Sequence, residues 1–167
     1  MAAIPKPDPA TPRPAPALEL ERFLPYRLSV LSNRLSDAIA AEYSERFALG
    51  VTEWRVMAVL GRYPGLSARQ VAQRTAMDKV AVSRALARLL AAGRLTRDAA
   101  DGDRRRSVLH LSAAGQAIHD QVVPLALAFE RQLLDGIPEA ARQGLFRLLD
   151  RLDQLELDRG EAATRPG

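Results

Sequence analysis

The stretch from Ser67 to Ser112 leaves a folding chain few choices, because it encodes two short helices in tandem and then a hairpin. Ser67 is a good N-cap and Gln70 stands three residues on, a capping box that satisfies orphan backbone donors and starts a helix ending near Thr75. After a turn at Ala76 and Met77, Asp78 offers a second N-cap carboxylate. Val82, Leu86 and Leu89 then recur at helical spacing until Gly93 supplies a left-handed stop. Leu95 to Arg97 reads as a strand, Asp98 to Asp103 as a turn, and Ser107 to Leu111 as a return strand. Arg104, Arg105 and Arg106 stand between the turn and the return strand. The pattern predicts a helix-turn-helix followed by a wing.

The second helix turns Lys79, Val80, Ser83, Arg84, Ala87 and Arg88 away from its apolar stripe, a face of donors, one hydroxyl and small groups without an acid. Such spacing makes either an ordinary solvated face or one that fits a DNA major groove, which is wide enough to admit a helix. On the second reading Lys79, Ser83 and Arg84 are the direct contacts, supported by Val80 and Arg88 and by Ser67 and Arg69 on the preceding helix. The hairpin favours DNA, since three guanidinium groups beside a groove-reading helix suit the negative potential of an adjacent narrow minor groove. Two other classes stay open. A winged-helix protein-interaction module would bind with little salt dependence. A sequence-tolerant architectural DNA binder would lose little on a mismatch that costs a specific reader about 1 to 3 kcal/mol.

These residues also carry a resemblance. Asp103-Arg104-Arg105, followed by Leu111-Ser112 and Gly115, is similar to the wing signature of the multiple antibiotic resistance regulator (MarR) family, although Ser112 stands where the family often has threonine. Phe23 to Leu28 and Glu53 to Met57 resemble a proteobacterial branch of that family, so the likeness runs from about Phe23 to Leu157. It implies that Arg105 enters the minor groove, that Asp103 pairs with it and fixes its direction, and that Arg104 and Arg106 face phosphate. A guanidinium already oriented by a carboxylate loses less freedom on binding.

Charge is distributed as that reading requires. Of 24 basic and 20 acidic residues, ten basic and four acidic ones lie between Ser67 and Ser112, so a local excess of six is hidden in a net charge of +4. Phosphate neutralisation needs such a concentration. With no cysteine, the chain has no disulfide, thiolate zinc site or thiol switch. His110 and His119 stand at no zinc-ligand spacing and read as incidental, so neither a metal nor a cofactor is expected. Nucleophile-elbow, phosphate-loop and metalloprotease motifs are missing, which argues against an enzyme. No apolar run approaches a membrane span and no secretion signal opens the chain, so a cytoplasmic location is expected.

Residues 1–17 carry six prolines and read as a disordered tail, with a proline-recognition ligand as the sharper alternative, and 159–167 read as a second tail. Between them, 18–158 is expected to form a single, mainly α domain with a small β-hairpin wing. Its winged helix-turn-helix spans 52–112, and its helical dimerisation layer comprises 18–50 and 113–158. One helix is predicted from about Arg22 to Phe47, with Leu28, Leu31, Leu35, Ala38 or Ile39, and Tyr43 along one stripe. Thr52 is expected to cap the next, Glu53 to Gly61. A long helix from Ala113 to about Leu134 contains Pro124, and a last one runs from Glu139 to Asp158 with Leu145, Leu148, Leu149, Leu152 and Leu155 in its stripe.

These stripes exceed what one small winged helix can cover. A second copy of the chain would bury them in a two-fold interface, as the resemblance also implies, and would set two reading helices about 34 Å apart on a near-palindromic operator. A self-packed monomer is the alternative. Repression is expected, because a compact dimer astride an operator blocks polymerase, and the resemblance further implies release by a small molecule, an aromatic carboxylate or its thioester, entering the seam between dimer layer and winged helix. Tyr26, Arg34, Trp54 and Arg55 flank that seam, where an arginine among apolar walls suits a carboxylate. Each also has a structural reading, Trp54 as core and Arg34 as a surface ion pair.

Overall fold

The computed structural model describes residues 17–100 and 103–155, and of Ala100 and Asp103 to Arg106 the backbone alone. Most of the proline-rich segment and the C-terminal segment lie outside the described residues. After a 3₁₀ turn at Leu20–Arg22, six helices and one hairpin follow in the order α1 (Leu24–Phe47), α2 (Val51–Arg62), α3 (Ala68–Thr75), α4 (Lys79–Ala91), β1 (Leu95–Ala100), β2 (Asp103–Leu111), α5 (Ala113–Leu133) and α6 (Glu139–Asp153). The protein is thus mainly α with a two-stranded antiparallel wing. Among the described residues no helix is long and apolar enough to cross a membrane.

The tandem helices form where their caps dictate. The Ser67 hydroxyl accepts the Gln70 N–H at 3.3 Å and the Gln70 side chain accepts the Ser67 N–H at 2.9 Å. Asp78 accepts the N–H groups of Val80 and Ala81 at 2.9 and 3.0 Å, and Gly93 ends the turn after α4 with φ 66°. The expected start of α2 is corrected. The helix begins at Val51 with Gly50 as N-cap, because Glu53 reaches back to accept the Gly50 N–H at 2.7 Å. That leaves Thr52 inside the first turn. The last helix likewise stops at Asp153, so Leu155 lies beyond it and the expected residues 156–158 fall outside the described part.

The strands are longer than expected. Asp98 and Ala99, read as turn, pair with Val108 and Ser107, since polar side chains do not end a ladder that has solvent on one side. Between Ala99↔Ser107 and Ala100↔Asp103 the register shifts, so Arg104, Arg105 and Arg106 have no opposite number on β1 and form a bulge within β2. At the base of the wing, Leu109 bridges Leu66 ahead of α3, fixing the hairpin to the helix-turn-helix.

One core gathers these elements: Val56, Met57 and Leu60 of α2, Val71 of α3, Val82, Leu86 and Leu89 of α4, Leu95 and Leu109 of the wing, and Tyr43 and Val122 from α1 and α5. Ser112 joins wing to α5, its hydroxyl accepting the Gly115 N–H at 3.0 Å and donating to the Gly93 carbonyl at 2.6 Å. Gly115 has to be glycine, because a Cβ there would overlap the Arg94 carbonyl oxygen. Of the stripe predicted along α1 only Tyr43 is buried; Leu28 and Leu31 stay exposed. No residue of α6 is buried, and Leu145, Leu148 and Leu149 are exposed.

Candidate nucleic-acid interface

Burying Val82, Ala85, Leu86 and Leu89 forces the other face of α4 into solvent, so Lys79, Val80, Ser83, Arg84 and Arg88 are all exposed, Val80 at 55%. Arg69 and Gln73 project from α3 as a ridge between two grooves. One, of about 670 Å³, lies between α3 and α4 and is walled by Arg69, Gln73, Lys79 and Ser83 over Ala72, Met77 and Leu86. The other, of about 600 Å³, separates the start of α3 from β2 and is lined by Ser67, Arg69, Gln70, Gln73, Ser107 and Val108. Ser67 lines the second, yet its hydroxyl is engaged with Gln70, donating at 2.8 Å to the side-chain oxygen. The expected pairing of Asp103 with Arg105, and the directions of Arg104 and Arg106, lie outside the described side chains.

Basic residues are not equally available. Arg94 is spent inside, donating to the Phe47 carbonyl at 2.6 Å and the Ala48 carbonyl at 3.3 Å. Arg74 stacks on the Tyr63 ring at 4.0 Å, with Arg62 at 5.1 Å on the same ring. Arg88, although 66% exposed, donates its Nε–H at 2.6 Å to Glu53, which is buried. What remains is a cationic, acid-free surface on the first half of α4, bounded by α3 and by a hairpin with an arginine bulge. Chemically it can donate hydrogen bonds and neutralise anions; among the described residues there is no cluster suited to a metal ion.

A model of the MarR family matches residues 49–106, the span from the α1–α2 joint into the second strand of the wing. A solved MarR/EmrR family transcriptional regulator from Acinetobacter sp. ADP1 is 28% identical and superposes with a TM-score of 0.74, covering 81% of this chain and 96% of its own. Over this span the chain resembles the MarR family. A curated relative, the HTH-type transcriptional regulator BilQ of Clostridium symbiosum (strain WAL-14163), is 27% identical over 93 residues, 56% of this chain; the match covers 65% of that relative, a little under two thirds. BpsR of Bordetella bronchiseptica, whose DNA binding is regulated by 6-hydroxynicotinic acid, shares the fold at a TM-score of 0.72 and 21% identity, over 85% of this chain and all of its own. Members of the MarR family are transcription regulators and not enzymes, in keeping with the missing catalytic motifs.

In this chain the four residues expected to meet an effector lie in different settings. Trp54 belongs to the core, its ring 5.7 Å from Tyr43 and 5.8 Å from His119. Arg55 is half-buried and donates to the Ser36 hydroxyl at 2.6 Å, a tie between α2 and α1. Tyr26 and Arg34 are exposed on α1, and Tyr26 sits 17 residues before Tyr43, about 25 Å along the axis. Two further residues pack beside Trp54: His119, read in the sequence as incidental, and Tyr43, read only as part of the α1 stripe. His119 packs so closely on Gly61 that a Cβ there would overlap its ring. Tyr43 is fully buried with no partner for its hydroxyl; burial pushes its phenol up to about 12 against the opposing charge of Arg55. An aromatic stripe residue and a lone histidine give no local signal of such a role.

Proposed function

We propose that the protein is a homodimeric, sequence-specific repressor that reads a near-palindromic operator and is released from it by a small molecule. The observation that carries this reading is the acid-free exposed face of α4, Lys79, Val80, Ser83 and Arg84, set beside the α3 ridge and a wing whose bulge holds three arginines. A reading helix needs donors at its N-terminal half and flanking phosphate contacts, and Lys79, Arg69 and the wing supply both. Arg105 is assigned to the minor groove, with Arg104 and Arg106 toward phosphate.

Exposed apolar residues support the dimer. Phe23, Leu24 and Leu31 near the start of α1 and Leu145, Leu148 and Leu149 on α6 are large apolar side chains left exposed, which a second copy of the chain would cover. Leu152, half-buried, and Leu155 belong to the same assigned interface. Two heads in a two-fold pair would then face successive turns of one duplex, and a compact dimer there excludes polymerase. The effector is assigned to the aromatic carboxylates or their thioesters; BpsR supports control by a small aromatic acid within this fold. Arg55 is an arginine whose charge acts on the buried Tyr43. Such a regulator would work in the cytoplasm.

Selection of bound fragments from the source genome, followed by titration across a salt series, tests the proposal. A specific phosphate-contacting dimer should recover a fragment with two-fold symmetry and lose affinity steeply as salt rises, by about 10³-fold or more between 50 and 200 mM if six or more phosphates are held. Salt-insensitive binding, or no enrichment of any sequence, would refute it.

A further inference from the structure

Among the described residues Glu53 is the one charged side chain that is buried, at 8% exposure. A carboxylate withdrawn from water is costly unless its oxygens are bonded, and removing one partner of such a pair is worse than never having made it. Both oxygens are used here. Oε2 accepts the Gly50 N–H at 2.7 Å, and Oε1 accepts the Arg88 Nε–H at 2.6 Å. One carboxylate therefore links the α1–α2 joint, the first turn of α2 and the third turn of α4. Six residues after Arg88, the Arg94 guanidinium closes the end of α1 by donating to Phe47 and Ala48. Residues 47–53 are thus held from two points along the C-terminal half of α4 and its following turn, while Lys79 to Arg84 at the other end stay free.

We propose that Glu53 and Arg88 are positioning residues for DNA reading: the buried carboxylate fixes the rotation of α4 about its axis, and Arg88, counted in the sequence among the DNA contacts, acts as an internal tie. This inference rests on α4 being the reading helix. A rotation of α4 by a fraction of a turn moves Ser83 and Arg84 relative to base edges but leaves a flexible lysine or arginine able to reach phosphate. Loss of the tie therefore costs discrimination between sequences more than it costs general affinity. A phosphate contact by Arg88 has the opposite signature, because deleting it removes one released counterion and lowers the salt slope by about 0.9 while leaving base preference alone.

The experiment measures, for the full-length protein, affinity for the genome-selected fragment and for a series of single-base mismatches, across a salt series, with melting temperature recorded for each variant. Glu53→Gln keeps the shape and buries no unpaired charge. Arg88→Gln removes the cation, and the double variant closes the cycle; Ser83→Ala and Arg84→Ala are controls. The proposal expects Glu53→Gln to reduce mismatch discrimination severalfold, Arg88→Gln to do the same with an unchanged salt slope, and the double variant to lose no more than either. Because Glu53 is buried, its effect on discrimination cannot come from touching DNA. Lower melting temperature with wild-type discrimination would make the pair merely structural and overturn the proposal. So would a salt slope reduced by about 0.9 in Arg88→Gln with wild-type behaviour in Glu53→Gln. If the Ser83 and Arg84 controls leave base preference unchanged, α4 is not the reader and the proposal falls with that reading; altered controls with wild-type discrimination in Glu53→Gln sink the proposal alone.

Discussion

Replacing Tyr43 by phenylalanine should make the protein more stable. The ring is fully buried against Trp54, at a centroid distance of 5.7 Å, and its hydroxyl meets no hydrogen-bond partner. Taking a hydroxyl out of water without a partner costs about 1 to 3 kcal/mol. Phenylalanine keeps the ring and drops the oxygen, and the small void left returns part of the gain, so a net stabilisation of about 1 kcal/mol is expected. In a domain of this size that raises Tm by about 2 to 4 °C. A second signature comes from the phenol itself, whose proton is held by burial. Because its pKa rises from 10.0 to about 12 on folding, the unfolded chain gives up the proton first, and stability is lost as pH climbs through that window. The phenylalanine variant lacks that loss. Urea unfolding followed by fluorescence of Trp54, the chain's single tryptophan, at neutral pH and again near pH 11, measures both effects. A less stable variant at neutral pH would mean that the hydroxyl is satisfied, and the argument from an orphaned polar group would fail.

Three further outcomes are expected. Gly115→Ala should destabilise the fold by about 1 to 3 kcal/mol despite alanine's better helix propensity, because its Cβ overlaps the Arg94 carbonyl that accepts the Ser112 N–H; thermal unfolding checks this, and an equal or higher Tm would count against it. Leu148→Asp or Leu152→Asp should give monomers in sedimentation, whereas persistent dimers would move the interface elsewhere. Arg105→Ala should weaken operator binding by roughly tenfold, as loss of a groove contact worth about 1 to 3 kcal/mol requires, and unchanged affinity in a titration would remove it from the wing's assigned role.

How far the sequence could be read depended on whether an interaction was local. α3 and α4 were legible because Ser67 with Gln70, and Asp78 with Val80 and Ala81, lie within three residues of each other. The start of α2 was misplaced because glycine carries no capping side chain, so Thr52 looked the better cap until Glu53 was seen to reach back. The wing's arginines were visible, but not that they bulge from a continuing strand, since register depends on the partner strand. Hidden altogether were ties across long stretches of chain: Glu53 with Arg88, 35 residues apart, and Arg94 with Phe47, 47 apart. These decide which cations are free, and no count of arginines distinguishes them. The apolar stripes of α1 and α6 were legible as stripes, but the fold of one chain leaves the start of the first and most of the second exposed.

In the proposed regulator α4 is the element that reads DNA. Because the chain has no cysteine, Ser83→Cys gives a single attachment point for an iron-chelate cleavage reagent. On the genome-selected fragment the tethered reagent should cut at two places related by two-fold symmetry and about 34 Å apart along the duplex, each within a half-site. Cuts scattered along the fragment, or none while the protein is bound, would contradict the claim.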